Sequence, residues 1–181
     1  MTQIKSFTPS CEQEVADKQL FLDCFEKYPD VFTRENKIAH FVSSAFVMNQ
    51  SRTKCVAAYH KIKDCWLFLG GHMDGETDFL AVCKKEIYEE SGLEDIELVG
   101  GGIFTLESLP EPGHMKRGKF VPAHVHLNVT YVFIASEKDE LRIAPDESSA
   151  IAWLPFDQAI AKTKDEFKPI YQKIFNKLKN I

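Results

Sequence analysis

A double glycine, Gly70-Gly71, runs a few residues later into a segment in which three glutamates recur at helical spacing, and this pairing constrains the fold more than any other feature of the chain. Residues three and four apart on a helix are surface neighbours, so Glu86, Glu89 and Glu90 crowd their charges together. A helix that starts near Thr77 or Asp78 places Phe79, Cys83, Glu86, Ile87 and Glu90 on one stripe, with Val82 and Glu89 along its edge. Ala81, Lys84, Lys85 and Tyr88 fall on the opposite side, so the lysines do not neutralise the inward stripe. Taken alone, a Lys-Lys-Glu-x-x-Glu-Glu string also reads as a solvated face; the apolar residues that share the stripe argue against it.

Burying ionised carboxylates without partners is costly, and the usual resolutions are pairing, protonation or metal coordination. Three together favour a metal. Carboxylate and carbonyl oxygens suit Mg²⁺, Mn²⁺ or Ca²⁺, and Mg²⁺ is commonly held by one or two carboxylates, waters and substrate phosphates, so a phosphorylated substrate is expected. Gly70 and Gly71 either make a tight turn or bring a backbone carbonyl close enough to serve as a further ligand.

The remaining chain frames this segment. Leu20, Phe21, Cys24, Phe25 and Tyr28 predict an amphipathic helix over residues 12–28, ahead of Pro29. Apolar runs at 37–48 and 54–60 flank Asn49-Gln50-Ser51-Arg52-Thr53 and read as two strands joined by a turn, and Trp66 to Leu69 as another. Residues 96–109 read as extended structure interrupted at Gly100-Gly101-Gly102. From Ala123 to Ala135, Val125, Leu127, Val129, Tyr131 and Phe133 alternate with His124, His126, Asn128 and Thr130, so half of that strand is polar. A short helix near 156–161 and an amphipathic one carrying Phe167, Ile170, Tyr171, Ile174, Phe175 and Leu178 complete the chain. Helices on both sides of a mixed sheet give an α/β/α sandwich.

At 181 residues, 44% hydrophobic, the chain suits one domain, with residues 1–35 as a helical extension packed on it. A net charge of −5 argues against coating a nucleic-acid polymer. The five cysteines include no C-x-x-C pair and read as reduced thiols in a cytoplasmic protein. No apolar signal region or membrane-length stretch is present, so no membrane partner is expected.

The stretch Gly71 to Leu93 resembles the Nudix hydrolase box, G-x5-E-x7-R-E-U-x-E-E-x-G-U with U a bulky aliphatic residue. Seven of the nine fixed positions match: Gly71, Glu86, Ile87, Glu89, Glu90, Gly92 and Leu93. Thr77 stands where the family has its first glutamate, with Glu76 one residue early, and Lys85 where it has arginine. The resemblance implies the same α/β/α sandwich and a hydrolase that cleaves the pyrophosphate bond of a nucleoside diphosphate linked to another group. It implies Mg²⁺ or Mn²⁺ held by Glu86, Glu89, Glu90 and the Gly70 carbonyl, with Glu86 the leading general base and Glu89 a second catalytic candidate. In the family the first glutamate and the arginine orient the metal-binding glutamates, so Thr77 and Lys85 bear on activity and metal affinity.

Further candidates surround the box. His124 and His126 share a strand face and reach toward a metal or a phosphate, although no third protein ligand at zinc-like spacing is evident. Arg117 and Lys119, in a long basic loop over 110–119, and His126 are candidate substrate contacts, and Glu147 lies where similar proteins often place another active-site acid. Ser108 to Gly113 loosely resembles the proline-glycine element of members that cleave ADP-sugars. Cys83 reads as a small buried hydrophobe. Two other functions are open: a domain that senses a nucleotide without cleaving it, although family regulators of that kind usually carry a DNA-binding module, and an isopentenyl-diphosphate isomerase, which needs a reactive cysteine near His72, where none lies closer than Cys65. A small-molecule nucleotide or diphosphate is the expected partner, with a homodimer as an option.

Overall fold

In the computed structural model, residues 1–116 and 118–180 are described. Two helices, α1 (Thr2–Ser6) and α2 (Glu12–Lys27), lead into β1 (Ala39–Asn49) and β2 (Lys54–His60), then β3 (Cys65–Leu67) and β4 (Leu69–His72). The glutamate helix α3 (Phe79–Ser91) precedes β5 (Ile96–Leu98), β6 (Thr105–Glu111), the short pair β7 (His114–Lys116) and β8 (Lys119–Val121), and β9 (His124–Ala135). The chain continues through β10 (Ser148–Pro155), α4 (Phe156–Lys162) and α5 (Lys168–Leu178).

The main sheet runs β10-β2-β1-β9-β5, with β3 beside β2, β4 beside β1 and β6 beside β9. Its centre is a parallel pairing of β1 with β9, in register from Ala39↔Val125 to Asn49↔Ala135, while the other pairings are antiparallel. Both faces of this pair are covered, as a parallel pair with helices on either side requires. Phe41, Ala45 and Val47 of β1 and Leu127, Val129, Tyr131 and Phe133 of β9 pack with Phe21 of α2 and Phe79, Val82 and Ile87 of α3. Phe46 and Met48 point the other way, against Ile170, Tyr171, Ile174 and Phe175 of α5. The chain is therefore an α/β/α sandwich about a mixed sheet, as its pattern predicts.

Two sequence expectations are revised and two are filled in. Residues 66–69 do not form one strand: the chain breaks at Phe68, so β3 stays with β2 and β4 crosses to β1. The 110–119 loop is in part a hairpin, with Met115 opposite Phe120; Arg117 lies outside the described residues. The three-glycine stretch separates two strands, with Gly100 and Gly101 at φ 75° and 72°. Helix α1 is too short to show a period, and Ile4, Phe21 and Val31 of the amino-terminal segment are core residues, each 1% exposed or less. Fully burying one such side chain contributes about 1.5–3 kcal/mol.

Candidate active site

Helix α3 is built from its ends. Asp78 caps it, its side chain accepting from the amides of Leu80 and Ala81 at 3.0 and 3.2 Å. Gly92 closes it at φ 73°, a conformation that costs glycine little, and donates its amide to the Tyr88 carbonyl at 2.8 Å. Between the caps, the apolar stripe of Phe79, Val82, Cys83 and Ile87 is buried, and the same rotation carries Glu90 into the interior and Glu86 half-way.

The double glycine receives both carboxylates. A Cβ on Gly71 would sit 2.4 Å from a carboxyl oxygen of Glu86, so the absent side chain is the space that Glu86 occupies. Gly70 has φ 155°, and a Cβ there would meet the Ser43 carbonyl at 2.7 Å, so β4 lies against β1 only because the residue is glycine. Its amide donates to Glu90 Oε2 at 2.7 Å.

The two inner carboxyls hold protons tightly. Burial, with the charges of Glu89, Glu147 and Asp74 added and Lys85 opposing, lifts Glu86 to about 7. Burial, reinforced by Glu86, Glu147 and Glu89 against the Gly70 amide, lifts Glu90 to about 8. None of the ion pairs among the described residues includes either group: Lys85 reaches Glu89 at 3.4 Å, Arg34 reaches Asp74 at 2.5 Å, and Lys63 pairs with Glu111. Two oxygen-rich groups that repel each other in a low-dielectric setting, with no cation between them, fit a divalent ion. Glu89, its side chain 51% exposed, stands outside this buried pair, joined to Lys85.

Glu86 and Glu90 line a cleft of about 530 Å³ together with Gly70, Gly71, His126 and Glu147. Of the substrate-contact candidates, His126 and Glu147 are thus brought to the glutamates. Lys119 is exposed at the start of β8 and is not on the cleft wall, whereas its cross-strand partner Lys116 is. Lys61 and Lys63 also reach the wall, and Arg34 stands on its rim. These cations were not singled out from the sequence, where nothing separates them from other surface charges. The polar half of β9 is not a wet face: Asn128 and Thr130 are fully buried and bond to Glu107 at 3.0 and 3.1 Å.

The NUDIX domain family profile matches residues 39–178. The chain belongs to that family. The hydrolase reading of the box stands on this membership, and the match begins at the first residue of β1 and spans the glutamate helix. Among curated protein sequences none matches. Solved Nudix structures share the fold: a C. elegans Ap4A hydrolase in a binary complex has TM-score 0.59 and 14% identity over 78% of this chain and 98% of its own. The E. coli dihydroneopterin triphosphate pyrophosphohydrolase has TM-score 0.58 and 14% identity over 78% and 96%. The NUDIX domain of Shewanella oneidensis NrtR, complexed with ADP ribose, has TM-score 0.55 and 14% identity over 87% and 97%.

Proposed function

We propose that this protein is a metal-dependent Nudix hydrolase that cleaves the pyrophosphate bond of a nucleoside diphosphate linked to a second group. The observation that carries the reading is the pair Glu86, half-buried, and Glu90, buried, set against Gly70 and Gly71 without a cationic partner. Glu86, Glu90, the outer Glu89 and the Gly70 carbonyl are the proposed ligands of Mg²⁺ or Mn²⁺. When bound, the ion would neutralise the diphosphate and acidify a water.

The chain's own groups do the rest. Glu86, poised near neutrality, accepts the proton of the attacking water, and Glu90 holds Gly70 and with it the turn. Lys85 stands where the family has arginine and reaches Glu89, so the departure keeps a cation beside the outer glutamate. Glu76 folds back to accept from the amides of Thr77 and Asp78 at 2.7 and 3.2 Å, ordering the entry to the helix that Thr77 itself does not. Lys61 and Lys116 bring cations to the cleft wall beside the Lys63–Glu111 pair, as an anionic substrate needs. A nucleotide ligand is supported by the ADP ribose in one fold neighbour and the Ap4A named for another. Five cysteines without a disulfide support a reducing compartment, the cytoplasm.

The test is a panel of nucleotide-sugars, dinucleotides and nucleoside triphosphates assayed for phosphate or nucleotide release with Mg²⁺, with Mn²⁺ and with chelator. Metal-dependent release from at least one class is expected. Tight nucleotide binding without release under any metal would identify a sensing domain instead.

A further inference from the structure

A second constellation lies where β1 and β9 meet the cleft. Their parallel register sets His40 beside His126, and His124 projects from the same face of β9 one pleat earlier. One ring nitrogen from each of His40, His124 and His126 lies within 4.8 Å of the others. The ring centroids are 4.8 Å apart for His40 and His124 and 4.9 Å for the other two pairs.

The bonds behind the rings set their tautomers. His40 Nδ1 is 3.0 Å from the Asn36 carbonyl and His124 Nδ1 is 2.8 Å from that of Pro122. A carbonyl only accepts, so each Nδ1 carries the hydrogen, and in the neutral ring each Nε2 keeps a bare lone pair. His40, 3% exposed, leaves its Nε2 buried without a partner. His124 Nε2 faces His126 Nε2 at 3.1 Å. A proton shared by that last pair satisfies two nitrogens and leaves His40 orphaned; one cation satisfies all three.

The dimensions suit such an ion. Zinc–nitrogen bonds of about 2.0–2.1 Å in a tetrahedron put ligand nitrogens roughly 3.3 Å apart, and the His124–His126 pair is already within a few tenths of an ångström of that spacing. Behind the rings stand two carbonyls and the Glu111 carboxylate, 4.0 Å from His126 Nδ1, the kind of backing that orients ligand histidines. Imidazole favours zinc and its neighbours over the hard ions that suit glutamates. His124 and His126 line the cleft while His40 closes it from behind, so the face away from His40 is open.

We propose that His40, His124 and His126 form a second metal site, taking Zn²⁺ or a similar borderline divalent ion through three imidazoles, with the fourth coordination position facing the cleft. The site shares the cleft with Glu86 and Glu90 but uses neither as a ligand, and it does not depend on their role.

The test uses full-length protein without a histidine tag, stripped with chelator and titrated with Co²⁺ in excess Mg²⁺. The wild type is expected to take up a single equivalent with the visible absorption of a four-coordinate nitrogen site, and Glu86→Gln/Glu90→Gln to do the same. His124→Gln and His126→Gln are expected to weaken uptake by on the order of 100-fold or more. X-ray absorption of the zinc-loaded wild type, which relies on no variant folding, is expected to show three imidazoles. Absence of saturable uptake, uptake unchanged in both histidine variants, loss confined to the glutamate variant, or an all-oxygen shell would each overturn the site. Hydrolysis is not the readout, so failure of the pyrophosphatase reading leaves this result intact.

Discussion

Among the described residues, two groups of acidic side chains drawn into the interior are solved in opposite ways. Glu14 of α2 and Glu107 of β6 meet lysines of α5: Lys177 Nζ is 2.6 Å from Glu14, and Lys173 Nζ is 2.8 Å from Glu107 and 3.5 Å from Glu14. Burial pushes the Glu14 carboxyl up, but the Lys177 bond, the Ser10 amide and the lysine charges outweigh it and leave it below its ordinary value. Glu86 and Glu90 have no such partners and are driven to about 7 and 8. The compensated group holds the ends of the chain together; the uncompensated one is the proposed seat of the metal. Burial of charge alone does not distinguish scaffold from site, whereas the presence or absence of a built-in counter-ion does.

The sharpest way to break this comparison is neutralisation on each side. Glu86→Gln and Glu90→Gln should each lower the hydrolytic rate by on the order of a thousandfold, about 4 kcal/mol in the transition state, while circular dichroism and melting show an intact fold. Lys177→Met should do the reverse, costing about 1–3 kcal/mol of stability because Glu14 keeps only the more distant Lys173 and Ser10, as read from the denaturant midpoint, with turnover per folded molecule retained. If the glutamine variants unfold and Lys177→Met does not, the assignments are inverted.

Gly71→Ala sharpens the comparison without touching a charge. The new methyl would land on the Glu86 carboxyl, the movable end of a flexible side chain. The expected outcome is a change in unfolding free energy within about 1 kcal/mol, together with a loss of rate on the order of a hundredfold, of the size that misplacement of a catalytic group produces.

The smallest expected effect is in pH dependence, and its sign differs between the groups. Glu86 and Glu90 are raised in the folded protein, so the stability they contribute is full below the unfolded carboxylate value and is lost as pH rises through about 7 and 8. Glu14 is lowered, so its contribution is present above the unfolded value and lost on acidification. Melting temperatures in chelator should therefore fall from pH 5 to pH 8 less steeply in Glu90→Gln than in the wild type, and added Mg²⁺ should flatten the wild-type slope in the same direction.

Much of this arrangement was legible in the chain. The helical period of α3 placed Phe79, Cys83, Glu86, Ile87 and Glu90 on one stripe, because a helix fixes which residues share a side within a few turns. The compensated group was not legible: Glu14, Glu107 and Lys173 lie on three separate elements, and nothing local marks their pairing. The same limit hid His40. His124 and His126 announce themselves by strand alternation, but their third neighbour arrives through a parallel pairing, whose register depends on a long crossover and leaves no trace in the spacing. The hairpin β7–β8 was masked by the prolines that flank it, Pro112 and Pro122, and by strands of only three residues.

The contacts of the first 38 residues bear on how the protein is prepared for study. The family match starts at residue 39, yet Phe21 stacks edge-on against Phe41 at 5.7 Å and Glu14 is the anion that Lys177 answers. A fragment trimmed to the recognisable family boundary would bare an aromatic flank and leave two ammonium groups facing a single carboxylate, inviting aggregation in place of a smaller working enzyme.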